Sequence, residues 1–163
     1  MNSAVVAFAF GVPNTLRSNR RIAEMASDKA KNLGVPVYTQ LEVVPLERGV
    51  ETVLTEELPP NRVPTLRIAR GAVKWAQQGN VNEFWLCAAT PHLPRCRRDL
   101  SYAIQEANAR ITVRIVEDTR CHPDEFWFCP ESSQPDTRKQ LLWAVRDGIL
   151  MHLPMRLYSA IAS

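Results

Sequence analysis

Two short basic runs in this sequence stand where an anion could be held. Gly11–Arg21 carries Arg17, Arg20 and Arg21, and Thr90–Arg98 carries His92, Arg95, Arg97 and Arg98. Each run falls at the expected start of a helix. Positive side chains there oppose the helix macrodipole, at about 0.3–1 kcal/mol each. An anionic ligand removes the conflict, because backbone N–H groups, dipole and guanidinium groups would all point at it. The plainer reading is that the arginines fan into water or pair with Glu24, Asp28 and Asp99. His92 and Arg95 are the better-directed pair, since the Pro-bounded turn Thr90-Pro91-His92-Leu93-Pro94 fixes their orientation. His92 suits a general acid or base, an anion contact, or a turn residue bonded to backbone. No Ser or Cys nucleophile pairs with it in the sequence, because Cys87 sits at the end of an apolar run.

Cys121, His122 and Cys129 are the other residues of a type that could bind metal. Their spacing lacks the short cysteine pairs of zinc sites, and an adjacent Cys-His pair chelates one ion poorly, so no metal site is expected. Trp75, Trp85, Trp127 and Trp143 read as core filling rather than stacking platforms. There is no G-x-G-x-x-G, no G-x-x-x-x-G-K-[ST] and no H-E-x-x-H, which argues against a standard dinucleotide or P-loop site.

The elements that must position these residues follow from hydrophobic pattern. Ala4–Phe10 is a continuous apolar run, the mark of a strand buried on both faces. A helical spacing runs from Arg17 to Leu33 and stops at Gly34. Val35–Leu41 reads as a second strand, Glu51–Thr55 as a short third one, and Pro59-Pro60-Asn61 as a loop. Pro64 suits the first position of a helix running to Gln78. Glu83–Ala89 is the next strand, Arg95–Asn108 the next helix and Ile111–Val116 the last clear strand. Residues 117–135 form a long connection, a lid or packed loop, and a closing helical region from Asp136 to Tyr158 is kinked or split by Pro154.

Strands alternating with helices imply parallel pairing through right-handed crossovers. The expected fold is α/β, a three-layer Rossmann-like parallel sheet of about five strands flanked by helices. In the strand order 3-2-1-4-5, strands 1 and 4 flank the switch point where ligands bind in such sheets. That brings the two basic turns to one rim.

The chain has 163 residues, which fits a single domain spanning 1–163. A net charge of +3 is too weak to argue for nucleic acid, and aromatic residues are not interleaved with the arginines. The run Ala4–Phe10 is too short for a membrane span and follows no basic segment. Four cysteines scattered through a domain that needs no staples fit a reducing compartment, and a cytoplasmic location is expected.

Arg62-Val-Pro-Thr-Leu-Arg-Ile-Ala-Arg-Gly-Ala72 and Phe84-Trp-Leu-Cys-Ala-Ala-Thr-Pro-His-Leu-Pro-Arg95 together resemble the YdcF/SanA/ElyC group of domains of unknown function. His92 and Arg95 match the group's His-x-x-Arg, and Thr65 matches its helix threonine. The resemblance implies a Rossmann-like fold and a link to envelope functions or nucleoside-like ligands, S-adenosylmethionine among them. The group's glycine-rich turns after its first two strands are reduced here to Gly11 alone.

The expected ligand is therefore a small anionic or nucleoside-like molecule at the strand carboxyl ends. His92 and Arg95 would hold it, with Arg17 or Arg20 facing them and Thr65 and Thr90 adding hydroxyl contacts. The chemistry would be that of a transferase or hydrolase. The competing expectation, motivated by the missing glycines, is a non-catalytic interaction protein with a degenerate pocket, assembled as a homo-oligomer.

Overall fold

The computed structural model describes residues 2–44, 46–55 and 64–161. Ser3–Ala7 (β1), Val37–Thr39 (β2), Thr52–Leu54 (β3), Glu83–Cys87 (β4) and Thr112–Ile115 (β5) form one sheet in the order β3-β2-β1-β4-β5. Every neighbouring pair runs parallel. The fold is the expected Rossmann-like α/β sheet.

The unbroken apolar runs belong to β1 and β4, the two central strands. Alternate residues serve opposite layers. Ala4, Val6, Phe84 and Leu86 pack under the helices Thr65–Gln78 (α2) and Leu93–Glu106 (α3). Val5, Ala7 and Cys87 pack under Arg17–Leu33 (α1) on the other face. With both faces covered, no position along these strands has to be polar. Gly34 ends α1 in the left-handed conformation, its N–H returning to the carbonyls of the last turn.

Several boundaries differ from those read off the sequence. β1 ends at Ala7, and Phe8 and Phe10 leave the ladder to pack as side chains in the two cores. β2 keeps three residues, because Leu41–Val43 tightens into a 3-10 turn. The helix after β4 begins at Leu93, continuing a 3-10 turn at Thr90–His92. The connection 117–135 is a packed loop that contains the one-turn helix Asp124–Trp127 (α4). The closing region is split into Gln140–His152 (α5) and Met155–Ile161 (α6), with Pro154 between them. The loop Pro59–Asn61 and the resembling residues Arg62 and Val63 lie outside the described residues.

The C-terminal segment passes over the carboxyl ends of the strands. α4 packs on the α1 side, where Trp127 is fully buried. At the far end, Tyr158 of α6 packs against Leu66 at the start of α2. Among the described residues no helix is long and apolar enough to cross a membrane.

Candidate functional site

The two basic turns do meet at one rim. The Phe8 N–H donates to the Cys87 carbonyl at 2.9 Å, and the Phe10 and His92 rings lie 5.8 Å apart. The crevice between them is filled by the chain itself. Trp143 of α5 stands edge-on to Phe10 at 4.6 Å and to His92 at 5.1 Å, and its indole N–H donates to the Pro91 carbonyl at 3.2 Å. Phe128 closes the other side, edge-on to Phe10 at 5.4 Å. The Arg95 guanidinium lies 4.6 Å from the Trp143 ring centre. Its Nη1 is 3.1 Å from Asp147 Oδ1 and its Nη2 is 3.4 Å from His92 Nδ1. Burial holds the Asp147 carboxyl above its usual range, against the pull of Arg95, Arg98 and Arg146.

The basic helix starts are answered by acceptors from the C-terminal segment. Arg17 donates through Nε to the Phe126 carbonyl at 2.8 Å and through Nη2 to those of Glu125 and Phe128, at 3.2 and 2.8 Å. These carbonyls lie at the end of α4, and that of Glu125 also accepts from the Phe128 N–H at 3.3 Å. Arg21 pairs with Asp118 and Glu24. Arg98 pairs with Asp99 and donates to the Leu150 carbonyl at 2.9 Å. Arg20 is exposed, and Thr65 opens α2 half-buried beside Leu66. The pairing of Arg21 with Glu24 and of Arg98 with Asp99 follows the plainer of the two sequence readings. For Arg17 and Arg95, and for Arg21 with Asp118, the partners come from far along the chain.

One step along the same rim, between the carboxyl ends of β4 and β5, lies a cavity of about 340 Å³. Its walls are Met25, Ala88, Leu93, Ile115 and Val116, with Thr90, Glu117, Asp118, Cys121 and His122 supplying polar groups. Thr90 is exposed here, away from the aromatic cluster.

Asp118 organises the polar side. Its Oδ2 lies 2.6 Å from His122 Nδ1. Its Oδ1 accepts from Arg21 Nη2 at 2.6 Å, Arg21 Nε at 3.1 Å and the Arg120 N–H at 3.1 Å. Burial alone would raise the Asp118 pKa, but the hydrogen bonds from His122, Arg21 and Arg120 outweigh it and bring it to about 2. The ionised Asp118 engages His122 through Nδ1, which turns the Nε2 edge of the ring away from the carboxylate. The imidazole also stacks on Phe126 at 3.8 Å, so its plane is fixed. Cys121, beside it, is exposed and has φ +49°.

The sequence marked His122 and Cys121 only as metal candidates. Among the described residues no group of three or more His, Cys, Asp or Glu could hold a metal ion. Asp118 went unmarked, since its partner Arg21 lies 97 positions away.

No family model and no curated protein matches this chain. Among solved structures it is similar to a universal stress protein from Archaeoglobus fulgidus. That likeness has 14% identity and a TM-score of 0.34, and covers 72% of this chain and 98% of that one.

Proposed function

We propose that this α/β protein binds a small molecule in the cavity between the carboxyl ends of β4 and β5. The observation that carries the reading is the Asp118–His122 pair lining that cavity, with Nδ1 tied 2.6 Å from a carboxylate oxygen and Nε2 left to meet a ligand. A volume of about 340 Å³ is at the lower end of small-molecule sites and suits a nucleoside-like ligand better than a dinucleotide. The apolar walls suit a flat ring. The Glu117 carboxylate favours a ligand that offers N–H or O–H donors, since both Asp118 oxygens are already engaged. His122 is placed to take a proton from such a group, which is the step a hydrolase or transferase at this site would need. The resemblance of residues 84–95 to the YdcF/SanA/ElyC group is part of the same reading, since its His-x-x-Arg opens the helix beside the cavity.

The test is a thermal-shift screen of nucleosides, nucleotides, S-adenosylmethionine and sugar phosphates, followed by calorimetry on the wild type, Thr90→Phe and His122→Phe. Thr90 is exposed at the cavity, so phenylalanine there fills it without disturbing the core. Binding that is lost in Thr90→Phe and weakened in His122→Phe supports the reading. Ligands that bind both variants as tightly as wild type refute it.

A second reading, an interaction protein, is favoured by one feature. α5 exposes Leu141, Leu142, Val145 and Ile149, a stripe at helical spacing on the side away from Trp143. Sedimentation should then give a dimer that Val145→Glu dissociates, with no small-molecule binding.

A further inference from the structure

The crevice beneath Trp143 holds a feature that core packing alone does not explain. Arg95 is only 5% exposed, yet its Nε and Nη1 have no hydrogen-bond partner among the described residues. Asp147 Oδ1 is likewise without one. The two groups lie within ion-pair range at 3.1 Å but are not aligned as a hydrogen bond. A guanidinium presents a planar fork that matches two oxygens of one carboxylate or phosphate group side by side. Asp147, tethered to α5, offers Arg95 a single oblique contact. Native proteins rarely leave buried charged donors in this state, and such a site asks for an explanation.

We propose that the crevice around Arg95 is a binding site for a small oxyanion, a carboxylate or phosphate monoester group, that the chain covers with α5 and fills with its own Asp147. The site is separate from the β4–β5 cavity. A free oxyanion, unconstrained by a helix, can turn to meet Nε and an Nη atom together, and the His92 ring lies at the same wall, with Nδ1 3.4 Å from Arg95 Nη2. The cover is built to be displaced rather than buried for good. Trp143 is the one buried side chain among the thirteen residues of α5. Its attachments beside the crevice are polar and few, Trp143 to the Pro91 carbonyl, Asp147 to Arg95 and Arg98 to the Leu150 carbonyl, while further along Arg146 pairs with Asp136 and the half-buried Leu150 packs towards Leu66 and Tyr158. The opposite side of α5 is apolar and exposed, so lifting the helix does not strip it of a buried face there.

An internal carboxylate competes with a free anion, so apparent affinity is reduced by the fraction of time the crevice is covered. The experiment titrates inorganic phosphate, and separately acetate, into wild type, Asp147→Asn and the double variant Asp147→Asn/Arg95→Met. Sodium chloride at matched ionic strength is the control. Asp147→Asn is expected to bind one of the two oxyanions at least about tenfold more tightly than wild type, and the double variant to lose that binding. Phosphate and acetate responses tell the two ligand classes apart. Equal affinity in wild type and Asp147→Asn, or binding that survives Arg95→Met, overturns the proposal.

Hydrogen exchange on the wild-type chain keeps the test open if the variants fail to fold. Faster exchange of residues 140–152 at the highest oxyanion concentration supports displacement, and unchanged exchange refutes it. Thr90→Phe in the Asp147→Asn background separates the two sites. It should abolish ligand binding in the β4–β5 cavity and leave oxyanion binding unchanged.

Discussion

Asp118→Asn probes the group that holds the cavity's polar side in place. In the folded chain the contacts of His122, Arg21 and the Arg120 N–H hold the carboxyl at about 2, below the usual 3.8, which is worth about 2 kcal/mol of stability. Asparagine removes the charge but keeps the shape. It also leaves the guanidinium of Arg21, 4% exposed, with Glu24 as its remaining carboxylate. Breaking one side of a buried pair adds to the loss, so the variant should be destabilised by about 3 kcal/mol near pH 7. For a chain of this size that lowers Tm by roughly 6–12 °C.

The pH dependence gives the sharper check. The folded pKa lies below the unfolded one, so the stabilisation is fully present above the unfolded value and fades as pH falls through the folded value. Urea titrations followed by tryptophan fluorescence should show a constant gap between wild type and variant from about pH 7 to about pH 4, narrowing towards pH 2. A gap below about 1 kcal/mol at neutral pH, or one that stays the same down to pH 2, would refute the reasoning.

Gly11→Ala should lower stability by about 2 kcal/mol or more, since φ is +91° and a Cβ there would stand 2.8 Å from Ser132 Oγ and 2.9 Å from Thr137 Oγ1, both buried. Denaturation midpoints check it, and a neutral result would mean that the turn relaxes freely. Iodoacetamide at mildly alkaline pH should label Cys121 first, because it is exposed while Cys87, Cys96 and Cys129 are buried. Burial also pushes the Cys87 thiol up to about 12, so it has almost no thiolate to react. Peptide mass spectrometry reads the site, and early labelling of Cys87 in the folded chain would contradict the described core.

The parts of the site that were legible are those written locally. The turn Thr90–Pro94 and the run Gly11–Arg21 follow strands whose apolar pattern is unbroken, so strand order alone puts them on one rim. His92 and Arg95 do sit at the crevice, but their surroundings were not legible. The partners of Arg17 are backbone carbonyls 108–111 positions away, and backbone carbonyls carry no sequence signal. Asp118 and Asp147 look like any surface acids until the chain turns back over the rim. Thr90, expected with His92, lines the neighbouring cavity instead, because the 3-10 turn faces its side chain towards β5.

By itself, the sequence determined the layered parallel sheet and the direction in which its ends point. Burial on two faces demands continuous apolar strands, and those can be seen residue by residue. Only the tertiary structure decided what occupies the rim. The C-terminal segment lays Trp143 into the switch-point crevice and carries Asp118 to Arg21, and both are contacts between residues distant in the chain. Such contacts depend on where a long connection returns, which composition and periodicity do not encode.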